Sequence, residues 1–253
     1  MNRFSREIER LQTDYNTVQV MESEDGTIDF DVIGATHATW HPRLLLTGHA
    51  WDAITAATLM GRTPPESLLL LGLGGGTVLR QLRFFLPETR MTAVEIDSGM
   101  IHLARTHMAV DELDLEIIED DAYAFLKRDS RRFDRVIDDL YRCGDTDVER
   151  PAPVTPGSIT QLQQHLTPGG LLVMNFVLGA GHRQVHQSGR KAFCETFTHV
   201  RALQPPLSHN EILAGTCDPA GLRTPHDLRA FSARFPDRSD QKQWKELRNL
   251  KLR

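Results

Sequence analysis

From Ser67 onward, continuous apolar runs alternate with amphipathic segments. SLLLLGL reads as a strand buried on both faces. TVLRQLRFFL predicts a helix that ends near Pro87, and MTAVEID a second strand. SGMIHLARTHM follows as a helix with Ser98 as its N-cap. LDLEIIEDD is a third strand, AYAFLKRD a short helix and RVIDD a fourth strand. TPGSITQLQQHL predicts a helix with proline near its start, broken by LTPGG. LLVMNFVL is a fifth strand, a helix lies around residues 183–197, and THVRALQ and NEILAGT make a closing hairpin at one edge. PHDLRAFSARF and SDQKQWKELRNL read as two amphipathic helices. The alternation predicts an α/β fold, a doubly wound, mostly parallel seven-stranded sheet.

Upstream the pattern differs. Residues 1–13 predict a short polar helix, and residues 17–34 a β-hairpin turning at Glu24-Asp25-Gly26. ATHATWHPRLLLTGH adds a strand on either side of Pro42, and a helix runs from Trp51 to Met60. GRTPPES is a breaker-rich boundary. The chain therefore divides into a small N-terminal β-hairpin or lid region over residues 1–62, and an α/β domain with C-terminal helices over residues 63–253.

Composition narrows the function classes. With 253 residues, 40% of them hydrophobic, the chain supports a sizeable core. A net charge of −5 supplies no general attraction to nucleic acid or anionic lipid. Cys143, Cys194 and Cys217 are widely spaced, so neither a zinc ribbon nor a disulfide framework is indicated. MNRFSREIER lacks the apolar core of a signal peptide, and no run approaches the length of a membrane span. The expectation is a cytoplasmic protein with no nucleic-acid or membrane partner. His37, His41 and His49 cluster, but no acid or cysteine completes a metal set, so no metal is expected.

In such a sheet, ligands bind beyond the carboxyl ends of the strands. The first strand ends in Gly72-Leu73-Gly74-Gly75-Gly76-Thr77, where glycines permit a tight turn and close approach to a ligand. The second ends in Glu95-Ile96-Asp97, placing an acid where it can accept from both ribose hydroxyls. The third ends in Asp120-Asp121-Ala122, where an acid can hold an adenine amino group. The fourth ends in Asp138-Asp139, with Tyr141 and Arg142 just beyond. Adjacent strand residues face opposite ways, so only one of the two acids faces a site. Asp139 is the candidate base, Tyr141 the second, and Asp138 is assigned to a cap or salt bridge. Asn175 ends the fifth strand as a further candidate, and Asn210 starts the edge strand or caps a turn.

SLLLLGLGGGTVLRQL, AVEIDSGMIHLAR, IEDDAYAFL, FDRVIDDLY and LTPGGLLVMNFV, in that order, resemble the spermidine synthase family, closest to its spermidine synthase-like branch. The resemblance covers roughly residues 65–215. It implies the class I methyltransferase-like Rossmann fold and an S-adenosyl nucleotide held by Gly72, Gly74, Gly75, Gly76, Glu95, Ile96, Asp121 and Ala122. It places Asp139 at the family's catalytic aspartate, and His49, Trp51 and Asp52 in the segment that closes the substrate pocket. Three places depart from it: Gly75 stands where the family has an aspartate for the transferred chain, Arg142 where it has a second acid, and Gly48-His49-Ala50-Trp51-Asp52 is an altered form of its pocket-closing segment. The implied function is aminopropyl transfer to an amine such as a polyamine, from decarboxylated S-adenosylmethionine, releasing methylthioadenosine. Two alternatives stay open: a methyltransferase using S-adenosylmethionine and releasing S-adenosylhomocysteine, and a non-catalytic nucleotide-binding protein. The resemblance also implies a homodimer.

Overall fold

In a computed structural model, which describes residues 5–144 and 147–252, the chain begins as an antiparallel sheet. Strands β1 (Ser5–Gln12), β2 (Thr17–Ser23), β3 (Ile28–Val32) and β4 (Ala35–Trp40) pair in chain order. Val18, Val20, Phe30 and Val32 point inward and share one apolar cluster with Met100, Leu103 and Met108. The helix expected over residues 1–13 is strand β1; residues 1–4 lie outside the described residues. A polar segment without an apolar stripe gains little as a helix. Here it gains a ladder with β2, reinforced by Arg6 pairing with Glu22.

The strand expected after Pro42 does not form, because side chains take its backbone donors. Arg43 and Leu44 donate their N–H groups to His41 Nδ1, Leu45 and Leu46 to the Asp240 carboxylate, and Thr47 and Gly48 to Asp52. Local side-chain acceptors compete with a sheet ladder in this way.

The large sheet is built from α1 (Ala50–Thr58), β5 (Ser67–Leu71), α2 (Thr77–Phe85), β6 (Arg90–Glu95), α3 (Ser98–His107), β7 (Leu115–Glu119), α4 (Ala122–Arg128) and β8 (Phe133–Asp138). A two-residue ribbon follows, β9 (Arg142–Cys143) with β10 (Val148–Glu149). The chain continues through α5 (Pro156–Gln164), β11 (Leu166–Val177), α6 (Arg183–Thr196), β12 (His199–Gln204) and β13 (Asn210–Thr216). It closes with α7 (Pro225–Ala230), α8 (Arg238–Glu246) and β14 (Arg248–Lys251).

The spatial order is β14-β12-β13-β11-β8-β5-β6-β7. Strands β11, β8, β5, β6 and β7 run parallel; β13, β12 and β14 are antiparallel to their neighbours. The seven expected strands are present, with β14 as an eighth. The tail helix, expected through Leu250, stops at Glu246 because the next residues satisfy the open edge of β12. LTPGG lies within β11, where Gly169 at φ +78° accompanies a register shift between Leu166 and Leu171. Asp97, rather than Ser98, caps α3, accepting from the N–H groups of Gly99 and Met100.

The alternation within β5 explains its unbroken apolar run. Leu68 and Leu70 pack on the face covered by α1 and α2, and Leu69 and Leu71 on the opposite face. Each such side chain contributes about 1.5–3 kcal/mol on burial. Ala53, Ile54 and Ala57 of α1 belong to the same apolar cluster as Leu203, Ile212 and Ala214, so chain ahead of residue 62 already helps form the large sheet's core.

Asp240 ties the C-terminal helix to the loop before α1. Its buried carboxylate accepts from Leu45 N and Leu46 N, both at 3.0 Å. Asp240→Ala strands these two donors and is expected to destabilise the fold by about 2–4 kcal/mol in urea unfolding. Lys242→Ala, on the exposed face of the same helix, is expected to change stability by less than about 0.5 kcal/mol.

Candidate active site

The crossover from the edge strand β7 back to β8, beside β5, opens a crevice at the carboxyl ends of the parallel strands. A cavity of about 330 Å³ lies there. Its floor is the glycine loop after β5. Gly72 has φ +89°, and a Cβ on it would sit 2.6 Å from the Asp139 carbonyl oxygen, so only glycine lets the ends of β5 and β8 meet. Gly75 packs against the N-terminal sheet: a Cβ there would lie 2.4 Å from the Ala38 methyl. β4 thus fills the space in which a side chain at 75 would begin.

Glu95, at the end of β6, organises this loop. One carboxylate oxygen accepts from Leu73 N at 2.9 Å and Gly74 N at 3.1 Å, the other from Ile96 N at 3.0 Å and Asp97 N at 3.1 Å. Burial raises its pKa, against the pull of those donors. Asp97 accepts a hydrogen bond from Thr13 Oγ1 at 2.6 Å, which holds the β1–β2 turn over the cavity. Tyr15 and Asn16 of that turn line its mouth. Thr77, in place of a further glycine, donates to Thr39 O at 3.0 Å and accepts from Thr39 N at 3.1 Å, docking β4 on the start of α2.

The two acids that end β8 part company. Asp138 is buried and receives both contacts of Arg150 Nη2, each 2.6 Å. Asp139 faces the cavity, and Asn175 Nδ2 donates to it at 2.8 Å. Burial pushes its pKa up to about 7; the Asn175 amide and Arg150 oppose this, and Asp138 and Glu95 add to it. Tyr141 also lines the cavity, but its hydroxyl donates to Asn175 O at 3.0 Å and accepts from Val177 N at 2.9 Å. Burial raises its pKa too, and the two hydrogen bonds tie its hydroxyl to β11. The Arg142 head is largely exposed and ion-paired to Glu149 at 2.8 Å.

Of the residues named from sequence, Gly72, Gly74, Gly75, Glu95, Ile96, His49, Trp51, Asp139 and Tyr141 line this one cavity. Gly76, Asp52, Asp121 and Ala122 lie outside its lining. Asp52 is fully buried, and its carboxylate accepts from Thr47, Gly48, Gln81 and Gln243; burial lifts its pKa to about 6. It shapes the loop that carries His49 and does not reach the cavity itself. Asp121 caps α4, accepting from Ala124 N at 2.8 Å. Sequence reasoning missed Arg150, Ser208 and His209. Ser208 and His209 line the cavity from the β12–β13 connection, and no motif marks them. His37 lies in the wall 3.5 Å from Cys143 Sγ, and burial lowers its pKa. Among the described residues no group of three or more His, Cys, Asp or Glu is placed to hold a metal ion. Among them, too, no helix is long and apolar enough to cross a membrane.

Comparison with known proteins follows this geometry. The spermine/spermidine synthase domain model matches residues 51–208. A probable polyamine aminopropyl transferase of Bifidobacterium longum is 27% identical over 206 residues, 79% of this chain and 45% of that protein. The chain thus spans about half the length of this curated relative. The spermidine synthase of Thermotoga maritima superposes with a TM-score of 0.70 at 15% identity, covering 92% of this chain and 79% of the other. Human methyltransferase-like protein 13 in complex with SAH gives 0.64 at 21%, covering 74% and 92%. These two likenesses establish the methyltransferase-like fold.

The raised pKa of Asp139 gives a stability prediction. The folded value lies above the unfolded one, so Asp139 favours the fold below about pH 4 and loses that contribution as pH rises through about 7. Asp139→Asn is therefore expected to match wild type near pH 4 and to exceed it above pH 7 by about 2–4 kcal/mol in urea titrations. A variant less stable than wild type at pH 8 would contradict this account of the site.

Proposed function

The chain belongs to the spermine/spermidine synthase family, and from that premise we propose that it transfers an aminopropyl group from decarboxylated S-adenosylmethionine to an amine. The observation that carries the reading is Asp139, a desolvated carboxylate that shares one cavity with Glu95 and the glycine loop. The named activity of the Bifidobacterium longum relative supports the same reaction.

In this reading the backbone of Gly72–Gly75 and the Glu95 carboxylate hold the nucleoside, Glu95 facing the ribose. The family resemblance assigns the adenine edge to Asp121 and Ala122, which stand after β7 beyond the cavity lining, with Asp121 capping α4. The cavity floor seats the sulfonium, and Asp139 receives the proton that the attacking amine gives up. The amine nitrogen forms its bond to the propyl carbon as the carbon–sulfur bond breaks in line, and methylthioadenosine leaves as a neutral thioether. An acid with pKa near 7 suits proton acceptance at neutral pH. His49 and Trp51 close the acceptor side, Trp51 offering an aromatic face to a cation. Arg142, drawn toward Glu149, leaves room for a cationic acceptor. The same reading carries a cytoplasmic homodimer that acts on a small-molecule amine, with no metal, nucleic acid or membrane.

The test is product release from purified protein given decarboxylated S-adenosylmethionine and a panel of amines. Methylthioadenosine is the expected product. Asp139→Asn is expected to lower turnover by about 10²–10⁴-fold, with nucleoside affinity within about threefold of wild type. S-adenosylhomocysteine release from S-adenosylmethionine would replace the reading with methyl transfer. Tight nucleoside binding without either product would replace it with a non-catalytic role.

A further inference from the structure

Asp139 is met by a directed chain of two amides. Asn210, the first residue of β13, donates Nδ2 to Asn175 Oδ1 at 2.9 Å, and Asn175 Nδ2 donates to Asp139 Oδ1 at 2.8 Å. The two asparagines stand on neighbouring antiparallel strands. Asn175 is registered with Ile212, so Asn210 is its diagonal neighbour on the same face. The backbone around them is pinned: Tyr141 and Arg150 both donate to Asn175 O, and Leu178 N donates to His209 O at 2.7 Å.

A carboxamide has one donating and one accepting end, and a half-turn exchanges them. With only Asp139 as a neighbour, Asn175 would be held by one hydrogen bond. Asn210 occupies the oxygen end and leaves the donor end for the carboxylate. Burial raises the pKa of Asp139, and the Asn175 donor works against that rise. Asp138 and Glu95 repel charge on Asp139, and Arg150 and the Tyr141 hydroxyl stand nearby. None of these groups is altered by a change at 210.

We propose that Asn210 is a positioning residue: its amide fixes the orientation of Asn175, and so keeps a hydrogen-bond donor on the base that accepts the substrate proton. Its effect on turnover rests on the aminopropyl-transfer reading, whereas its effect on Asp139 does not. Without Asn210 the Asn175 amide is free to turn its oxygen toward Asp139, which disfavours the charged form. The protein then needs a higher pH to hold a competent base.

The experiment follows the Asp139 carboxyl carbon by ¹³C NMR in aspartate-labelled protein, the signal being assigned by its loss in Asp139→Asn. Asn210→Ala is expected to raise the midpoint by about one pH unit. Asn210→Asp, isosteric but without the donor, is expected to raise it further. Turnover at pH 7 then falls about fivefold in Asn210→Ala and returns to the wild-type rate above about pH 9. Unchanged midpoints in both variants overturn the proposal, whatever happens to thermal stability. If Asn210→Ala does not fold, Asn210→Asp decides alone. A wild-type chain that releases no methylthioadenosine removes the functional reading, while the carboxyl titration still decides the role of Asn210.

Discussion

The buried ion pair between Asp138 and Arg150 lets β8 end in two adjacent carboxylates. The side chains are only 5% and 4% exposed, so neither charge is satisfied by water. A buried pair of this kind costs about 3–5 kcal/mol when one partner is removed. Arg150 does more than neutralise Asp138. Its guanidinium lies over the rings of Tyr141 and Phe176, at 5.4 and 5.7 Å, and donates to the Asn175 carbonyl. One cation thereby fixes the back of β8, the tyrosine after it and the end of β11. Asp139 has an amide at contact distance in place of a cation, and it bears the desolvation. The difference between the two acids is set by which face of the strand received the arginine.

The N-terminal sheet completes what the large sheet begins. Three contacts weld it to the nucleotide side: Thr39 with Thr77, Thr13 with Asp97, and Ala38 against Gly75. All three fall on the glycine loop or the first turn of the helix beyond it, or on the cap of α3. The cavity roof is therefore held by the same elements that form its floor. Small changes in the packing of β4 would be felt at the backbone of Gly75.

Much of the fold was legible because periodicity and burial agree from Ser67 onward. A strand covered on both faces must be apolar throughout, as SLLLL is. The misreadings occur where tertiary partners override local preference. β1 is polar and is a strand only because β2 offers a ladder. The segment after Pro42 looks extended, but Asp240, about two hundred residues away in sequence, takes its donors. β14 forms because β12 has a free edge. Among site residues, glycines and strand-end acids carry a spacing that can be read. Arg150 carries none: it follows a ribbon whose length has no pattern, and its role appears only once Asp138 turns away from the cavity. Asp52 shows a related effect. An acid beside a pocket segment resembles a substrate contact, but the backbone donors of Thr47 and Gly48 claim it first.

Charge in the cavity follows from these placements. Glu95, Asp97 and Asp139 line it, and among the described residues the one guanidinium in the wall, Arg142, is paired with Glu149 at the surface. Burial lowers the pKa of both His37 and His49, so these two imidazoles favour the neutral form. The walls thus present carboxylates with little cationic competition, an arrangement suited to positively charged reactants. In the proposed reaction the nucleotide enters as a sulfonium and leaves as a neutral thioether. The attraction that draws it toward the carboxylates is present before transfer and gone afterward. Asp139 ends the step protonated, which removes its own charge from the cavity as well. The low-dielectric site amplifies both changes. The same burial that makes Asp139 costly to ionise favours the proton-bearing form that it reaches at the end of the step.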